Sequence, residues 1–264
     1  MKIPPVGFLS GIFIPVLALL LLTLTIDGLS QADNEIQVYA SPTIGNKSTI
    51  LELHSNYTFN GSKFLLLASD ARWTNFTVEV THGFATNFEI GLYLFTAVSA
   101  DGKYQYLGNQ IRPRLTVPES WSWPFGASLS LEVGFFRPDE SSDYIWQGEV
   151  RPIIDKTINN WYFSFNPNME FALTGSNRSV GIAPQFKTML AVQNKVGLGF
   201  EYYGFIGTFN DILPGQEQEH LLGPIFDLLV DPDWELNLGI LFGFTDNSNQ
   251  QILKILVGRR FGVK

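Results

Sequence analysis

Residues 50–60 alternate between apolar and polar side chains. The apolar side chains share one parity, with Ser55 as the small exception: Leu51, Leu53, Tyr57 and Phe59. The polar side chains share the other: Glu52, His54, Asn56 and Thr58. Because successive side chains of a strand point to opposite faces, this stretch predicts a β-strand with one apolar and one polar face.

The same alternation returns along the chain to its C-terminal end, and no helical period interrupts it. It predicts twelve strands, at residues 49–60, 72–82, 87–97, 105–117, 126–137, 146–156, 161–173, 182–192, 196–207, 219–230, 234–245 and 251–261. A chain of this pattern is all-β, with neighbouring strands joined in an antiparallel meander.

The connections between these strands alternate in length. Those after the second, sixth, eighth and tenth strands are short, and the one after the fourth, residues 118–124, is somewhat longer. Those after the odd strands are longer and more polar, except for residues 245–249. Short turns at one rim and long loops at the other are typical of an outer-membrane barrel with both termini on the periplasmic side.

The apolar parity is large and runs the full length of each strand, as at residues 234–245. A water-soluble barrel would turn this face inward, since small barrels fill their interior with apolar side chains. The full-length apolar faces instead favour lipid outside. The prediction is a 12-stranded antiparallel transmembrane β-barrel with short periplasmic turns and longer extracellular loops.

Aromatic residues group near the two predicted rims, where barrels carry interfacial girdles. At the short-turn rim these are Trp121, Trp123, Trp161 and Trp234; at the other they are Trp73, Tyr104, Tyr106, Tyr144 and Trp146. Prolines interrupt several strands on the apolar parity: Pro113, Pro152, Pro167, Pro184 and Pro224. Since proline cannot donate to a ladder, we expect local bulges there.

The N-terminus reads as a secretory signal peptide, residues 1–32. Lys2 precedes an apolar run at residues 12–24, and Ala32 ends a small-x-small site, so cleavage is expected between Ala32 and Asp33. An uncleaved membrane anchor is the alternative. The further division is a periplasmic lead-in segment at 33–48 and the transmembrane β-barrel at 49–264.

Composition narrows the classes of function. The formal net charge is −8, and there is no cysteine. Disulfide and thiol chemistry are therefore excluded, and the basic field that nucleic acid requires is missing. Only 16% of the residues are charged, which suits a chain with an apolar surface to satisfy.

The predicted inward face carries more acidic than basic residues, together with His54. The acidic residues are Glu52, Glu79, Glu89, Glu132, Glu149, Asp155, Glu170, Glu201, Asp227 and Glu235. The basic residues are Arg112, Arg114, Arg151, Lys187, Lys254 and Arg260. Two interpretations stay open and are compatible: an ion-pair network that holds the barrel's shape, or a lumen with a transverse field between arginines and carboxylates.

Signals for catalysis or metal binding are weak. His54, His82 and His220 lie on scattered strands without metal-ligand spacing. A serine, His54 and Glu52 could assemble a hydrolytic site, but no nucleophile motif supports one. We predict no catalytic residue, no metal and no cofactor.

Several segments carry a resemblance to a known family. They are IQVY at residues 36–39, LELHSNYTFNG at 51–61, EIGLYL at 89–94, GEVRPII at 148–154, FEYYG at 200–204, and WELNLGI at 234–240 with the TD at 245–246. The chain resembles bacterial outer-membrane β-barrels labelled "meta-pathway of phenol degradation" or transporter. The resemblance implies a barrel that passes small, hydrophobic or aromatic compounds. Barrels commonly end on phenylalanine, whereas three residues follow Phe261 here.

The expected function is that of a channel or transporter for small solutes in the outer membrane of a Gram-negative bacterium. Its expected partners are outer-membrane lipid, a small-molecule solute and the barrel-assembly machinery. Two alternatives remain: an outer-membrane enzyme that modifies lipid and depends on His54 or His82, and a closed structural or adhesive barrel that binds through its loops. A lumen of this strand number is narrow, and its own side chains or residues 33–47 could plug it.

Overall fold

A computed structural model describes residues 34–62, 73–138, 142–175, 178–193, 195–229, 231 and 233–262. The predicted signal peptide lies outside these residues. Within the described part of the chain, no helix combines the length and apolar character needed to cross a membrane.

The described residues form fourteen strands and one turn of 3-10 helix at Glu119–Trp121. The strands are β1 Ser48–Asn60, β2 Trp73–Ala85, β3 Phe88–Ser99, β4 Tyr104–Thr116, β5 Gly126–Phe136, β6 Ile145–Ile158, β7 Trp161–Ala172, β8 Val180–Val192, β9 Val196–Phe205, β10 Gly207–Thr208, β11 Asp211–Ile212, β12 Glu219–Leu228, β13 Trp234–Gly243 and β14 Gln251–Gly262.

Twelve of these strands form a closed antiparallel barrel. Each pairs with its neighbour in the chain, except that β9 pairs with β12, and the pairing of β1 with β14 closes the wall. The two-residue strands β10 and β11 form a small hairpin between β9 and β12 that touches β8. The predicted twelve-stranded barrel is confirmed, and every predicted strand boundary lies within three residues of the observed one. The hairpin was not predicted.

The side chains divide between the two faces of the wall as the alternation predicts. On β1, Leu51 and Leu53 are 46% and 43% exposed on the outside, whereas Glu52 and His54 are 5% and 1% exposed inside. Trp73 differs from the predicted aromatic girdle. It lies on the inward parity and packs against the buried cluster around Tyr93 and Phe95.

The prediction of bulges at the strand prolines is wrong. The ladder between β4 and β5 lacks pairs between Ile111 and Arg114, yet it resumes in the same register, and β12–β13 does the same around Pro224. On the opposite side, Pro113 pairs in register with Ile90. Because neighbouring residues of an antiparallel strand point their N–H groups to alternate sides, a proline weakens one ladder only, and the register survives.

Candidate functional site: the interior of the barrel

Residues 34–44, called the inner segment here, run through the interior of the barrel. At the short-turn rim, Lys47 N–H donates to Gly83 O at 2.8 Å, and a side chain at Gly83 would collide with the Gly45 carbonyl. Farther in, Thr77 Oγ1 donates to Asn34 O at 2.7 Å. The segment therefore enters from the short-turn rim and extends past the middle of β2.

Barrel side chains, rather than a strand ladder, satisfy the backbone of the inner segment. Tyr39 N–H donates to Asn166 Oδ1 at 2.8 Å, and Tyr39 O accepts from Ser164 Oγ at 2.6 Å. Ser41 donates from both its N–H and its hydroxyl to Asp155, at 2.7 and 2.8 Å. Since buried backbone groups need partners, these polar residues of β6 and β7 fix the position of the segment.

Three arginines on β4 and β6 face one side of the segment, and together we call them the arginine wall: Arg112, Arg114 and Arg151. Their guanidinium carbons lie 4.9, 5.6 and 4.6 Å from the centroid of the Tyr39 ring. These distances are typical of cation–π contacts. Arg114 also donates to the carbonyls of Ala40 and Pro42, each at 3.0 Å.

Carboxylates from neighbouring strands neutralise the arginine wall. Arg112 pairs with Glu79 at 2.5 Å and with Glu89 at 3.1 Å, and Arg114 pairs with Glu89 at 2.6 Å. These side chains are almost fully buried, and buried charges are tolerated in proteins when they are paired and hydrogen-bonded.

Arg151 joins the wall to the inner segment itself. It pairs with Glu149, with Glu132 at 3.4 Å and with Glu35 of the segment at 3.8 Å. The hydroxyl of Tyr39 contacts Glu35, so the segment contributes its own carboxylate to this network.

Two lysines form a second charged group on the other side of the interior. Lys187 pairs with Asp227 at 2.6 Å and with Glu201 at 3.2 Å. Lys254 pairs with Glu201 and donates to Tyr203 Oη at 3.1 Å. The ion pairs described above thus form two groups, one around the arginine wall and one around the two lysines.

Next to the lysine group, on β9, β12, β13 and β14, lies an apolar surface, which we call the aliphatic wall: Tyr203, Leu221, Leu241 and Ile252. It packs against Ile36 and Val38 of the inner segment. Sequence reasoning missed this surface because it treated the inward parity as polar. A signal existed in the alternation at residues 35–39, which gives the segment one apolar and one polar side.

The structure buries most of the predicted lumen residues inside the barrel. Those fully buried are Glu52, His54, Glu79, Glu89, Arg112, Arg114, Glu132, Glu149, Arg151, Asp155, Glu201, Asp227 and Lys254. Glu170, Lys187 and Glu235 are partly buried. Arg260 differs from the prediction of a lumen residue, since it is exposed at the end of β14, close to the rim.

Among the described residues the three histidines do not come together, and no histidine ring is hydrogen-bonded to a serine. Both ring nitrogens of His54 lack a hydrogen-bond partner among the described residues, so no serine is bonded to it. His82 contacts Thr49 at 2.8 Å, and His220 contacts Tyr202 at 2.7 Å.

No family model and no curated protein sequence matches this chain. Among solved structures, the fold is similar to an outer-membrane channel from Pseudomonas putida F1, with a TM-score of 0.60 and 12% identity over 86% of this chain and 100% of that one. It is also similar to the KdgM porin, with a TM-score of 0.50 and 11% identity over 81% of this chain and 99% of that one. The chain therefore has the fold of an outer-membrane β-barrel. The family label that the sequence resemblance suggests stays a prediction.

Proposed function

We propose that this protein is a channel for small solutes in the outer membrane of a Gram-negative bacterium, and that the inner segment closes its lumen. The fold similarity supports this assignment, as does the exposed apolar outer face, which suits lipid. Export through the predicted signal peptide and insertion by the barrel-assembly machinery belong to the same proposal.

The observation that carries the proposal is the nature of the plug. Residues 34–44 are held by side-chain hydrogen bonds, cation–π contacts and apolar packing, and not by a strand ladder. Such contacts can be exchanged for contacts to water or to a solute, whereas the ladders of the wall stay intact. Withdrawal of the segment would leave a lumen with arginines and their carboxylates on one side and lysines and their carboxylates on the other.

The environment of Tyr39 suggests the class of solute. Its ring lies against three guanidinium groups, and its hydroxyl donates to Glu79 at 3.3 Å. A small aromatic solute could make the same cation–π contacts, and an acidic group on it could pair with an arginine. We therefore propose small aromatic compounds, including aromatic acids, as solutes.

Single-channel recording in planar bilayers, with protein purified from membranes, tests the proposal. We expect rare or small current steps for the wild type and larger or more frequent steps for Tyr39→Ala, because that change removes the contacts to the arginine wall. Tyr104→Ala is the matched control, since Tyr104 is 62% exposed at the long-loop rim. This variant should conduct like the wild type.

Ion preference gives a second readout. Arg114→Glu, introduced together with Tyr39→Ala, should shift the preference of the open channel towards cations, because the change reverses a charge in the lumen. If both Tyr39 variants fold as barrels and carry no current in any condition, the protein is not a channel, and the loop-binding alternative gains weight.

A further inference from the structure

Three potential metal ligands meet on the inner face of β1 and β2. Glu52 and His54 are two residues apart on β1, and Glu52 lies directly across the ladder from Glu79 on β2. One ligand atom from each residue lies within 4.8 Å of the other two. All three side chains are buried, with at most 5% of any residue exposed.

His54 is unsatisfied in this position. Its Nε2 lies 3.6 Å from Glu79 Oε2, which is too long for a hydrogen bond. Neither Nε2 nor Nδ1 has a hydrogen-bond partner among the described residues. A buried polar group without a partner is costly, so this imidazole points to a ligand that completes its surroundings.

The two carboxylates share one arginine partner among the described ion pairs, Arg112, which binds Glu79. Like charges directly opposite each other on a ladder repel, and Glu52 faces Glu79 in this way. Arg112 binds Oε1 of Glu79, whereas Oε2 faces His54 and accepts a long hydrogen bond of 3.3 Å from the Tyr39 hydroxyl. A cation between Glu52, His54 and Oε2 of Glu79 would relieve this repulsion.

We propose that Glu52, His54 and Glu79 bind one divalent transition-metal ion of the zinc type inside the barrel. One imidazole and two carboxylates suit such an ion, whereas calcium and magnesium prefer oxygen ligands alone. Metal–ligand bonds of about 2.1 Å place tetrahedral ligands about 3.4 Å apart, close to the 3.6 Å between His54 and Glu79. The Glu52 ligand atom lies within 4.8 Å of the other two, and a rotation of its side chain would bring it to bonding distance of the ion.

The barrel also provides room for a cation, and an acidic cavity lies nearby at the short-turn rim. Gly258 pairs with Glu52, and a side chain there would lie 2.9 Å from Glu52 Cγ, so glycine keeps this space open. At the short-turn rim, Asp231, Asp233 and Glu235 line a cavity of about 270 Å³ that reaches Ile50, two residues from Glu52. An acidic cleft concentrates cations. The metal site requires no passage of solute, so it goes beyond the proposed channel.

Zinc titration of the purified full-length protein, after treatment with a chelator, tests the proposal. We expect one Zn²⁺ per chain, and at least about tenfold weaker binding in both His54→Gln and Glu52→Gln, since even residues that support metal ligands change affinity by that factor. His220→Gln is the matched control, because His220 bonds to Tyr202 on a different part of the wall, and it should bind as the wild type does.

Cobalt supplies a spectroscopic readout of the ligands, which distinguishes loss of a metal ligand from misfolding of a variant. Co²⁺ should give visible absorption in the wild type but not in His54→Gln, while His54→Cys should retain Co²⁺ and add a thiolate charge-transfer band. Heat-dependent gel migration identifies folded barrels, and only these are compared. The proposal is overturned if the wild type binds no Zn²⁺, if folded Glu52→Gln binds it unchanged, or if only His220→Gln loses it.

Discussion

The arginine wall and the aliphatic wall contact the same short segment with different chemistry. The arginine wall holds Tyr39 through guanidinium groups and buried carboxylates, whereas the aliphatic wall packs against Ile36 and Val38. Alternation within an extended segment allows both, because its neighbouring side chains point in opposite directions. A shift of one residue would turn Ile36 towards the arginines, so the two unlike walls together fix the segment's register.

The largest expected effect concerns the arginine wall. Arg112→Met removes the buried arginine partner of Glu79 and leaves Glu89 with Arg114 alone, so we expect the free energy of unfolding to fall by about 3–5 kcal/mol. Guanidinium unfolding in detergent micelles, followed by tryptophan fluorescence, measures it. Arg259→Met, which removes an exposed cation over Trp234, should change stability by less than about 1 kcal/mol. Equal effects would mean that the burial of the arginine wall is unimportant.

The next prediction concerns the outer face of β13, the strand that supplies Leu241 to the aliphatic wall. Leu238 lies on the outer parity of β13, opposite Phe226 and Ile255. Leu238→Arg should cost about 2–4 kcal/mol or block assembly, because the charge would face the middle of the bilayer. Ile158→Arg, at the rim end of β6, should cost about 0–1 kcal/mol. Normal assembly of Leu238→Arg in membranes would show that the proposed lipid face is wrong.

The smallest expected effect lies in the aliphatic wall. Ile252→Val removes one methylene group from a fully buried contact with the inner segment, so we expect a loss of about 0.5–1.5 kcal/mol in the same unfolding assay. Ile255→Val on the outer face is the control and should lose less, because Ile255 is only partly buried. A larger loss in Ile255→Val would indicate that the outer face is the better packed one.

Much of the wall could be predicted from the sequence because strand alternation is local. About ten residues of sequence are enough to predict the two faces of each strand. The alternation of short and long connections predicts which strand ends lie at the same rim. The prolines misled the prediction for a related reason. Proline removes a donor, which is a local fact, but the ladders on both sides decide whether the register shifts, and these extend over several strands.

The inner segment could not be placed by the same reasoning. The alternation at residues 35–39 suits an edge strand, an ordered tail or a plug equally well, and its partner Asn166 lies 127 residues from Tyr39 in the chain. The domain division into a lead-in segment at 33–48 and a barrel at 49–264 stays a prediction, although residues 34–44 lie inside the barrel.

The candidate metal site shows what register adds to composition. Glu52 and His54 are visible in the sequence as a pair on one parity, but Glu79 joins them only because β1 and β2 align Glu52 with Glu79 and not with Thr77 or Thr81. A slip of two residues would preserve every face and still separate the three ligands. Parity alone therefore identifies the lumen but not the sites within it.

The position of the inner segment also has a consequence for the order of folding. The segment directly precedes β1, and β1 meets β14 at the seam that closes the barrel. Its contacts to β7 span more than a hundred residues of chain, and contacts of such separation form slowly because the intervening loop must first be closed. Interactions that form after the transition state slow unfolding and leave folding nearly unchanged. The inner segment thus adds to the lifetime of the closed barrel more than to the speed with which it forms.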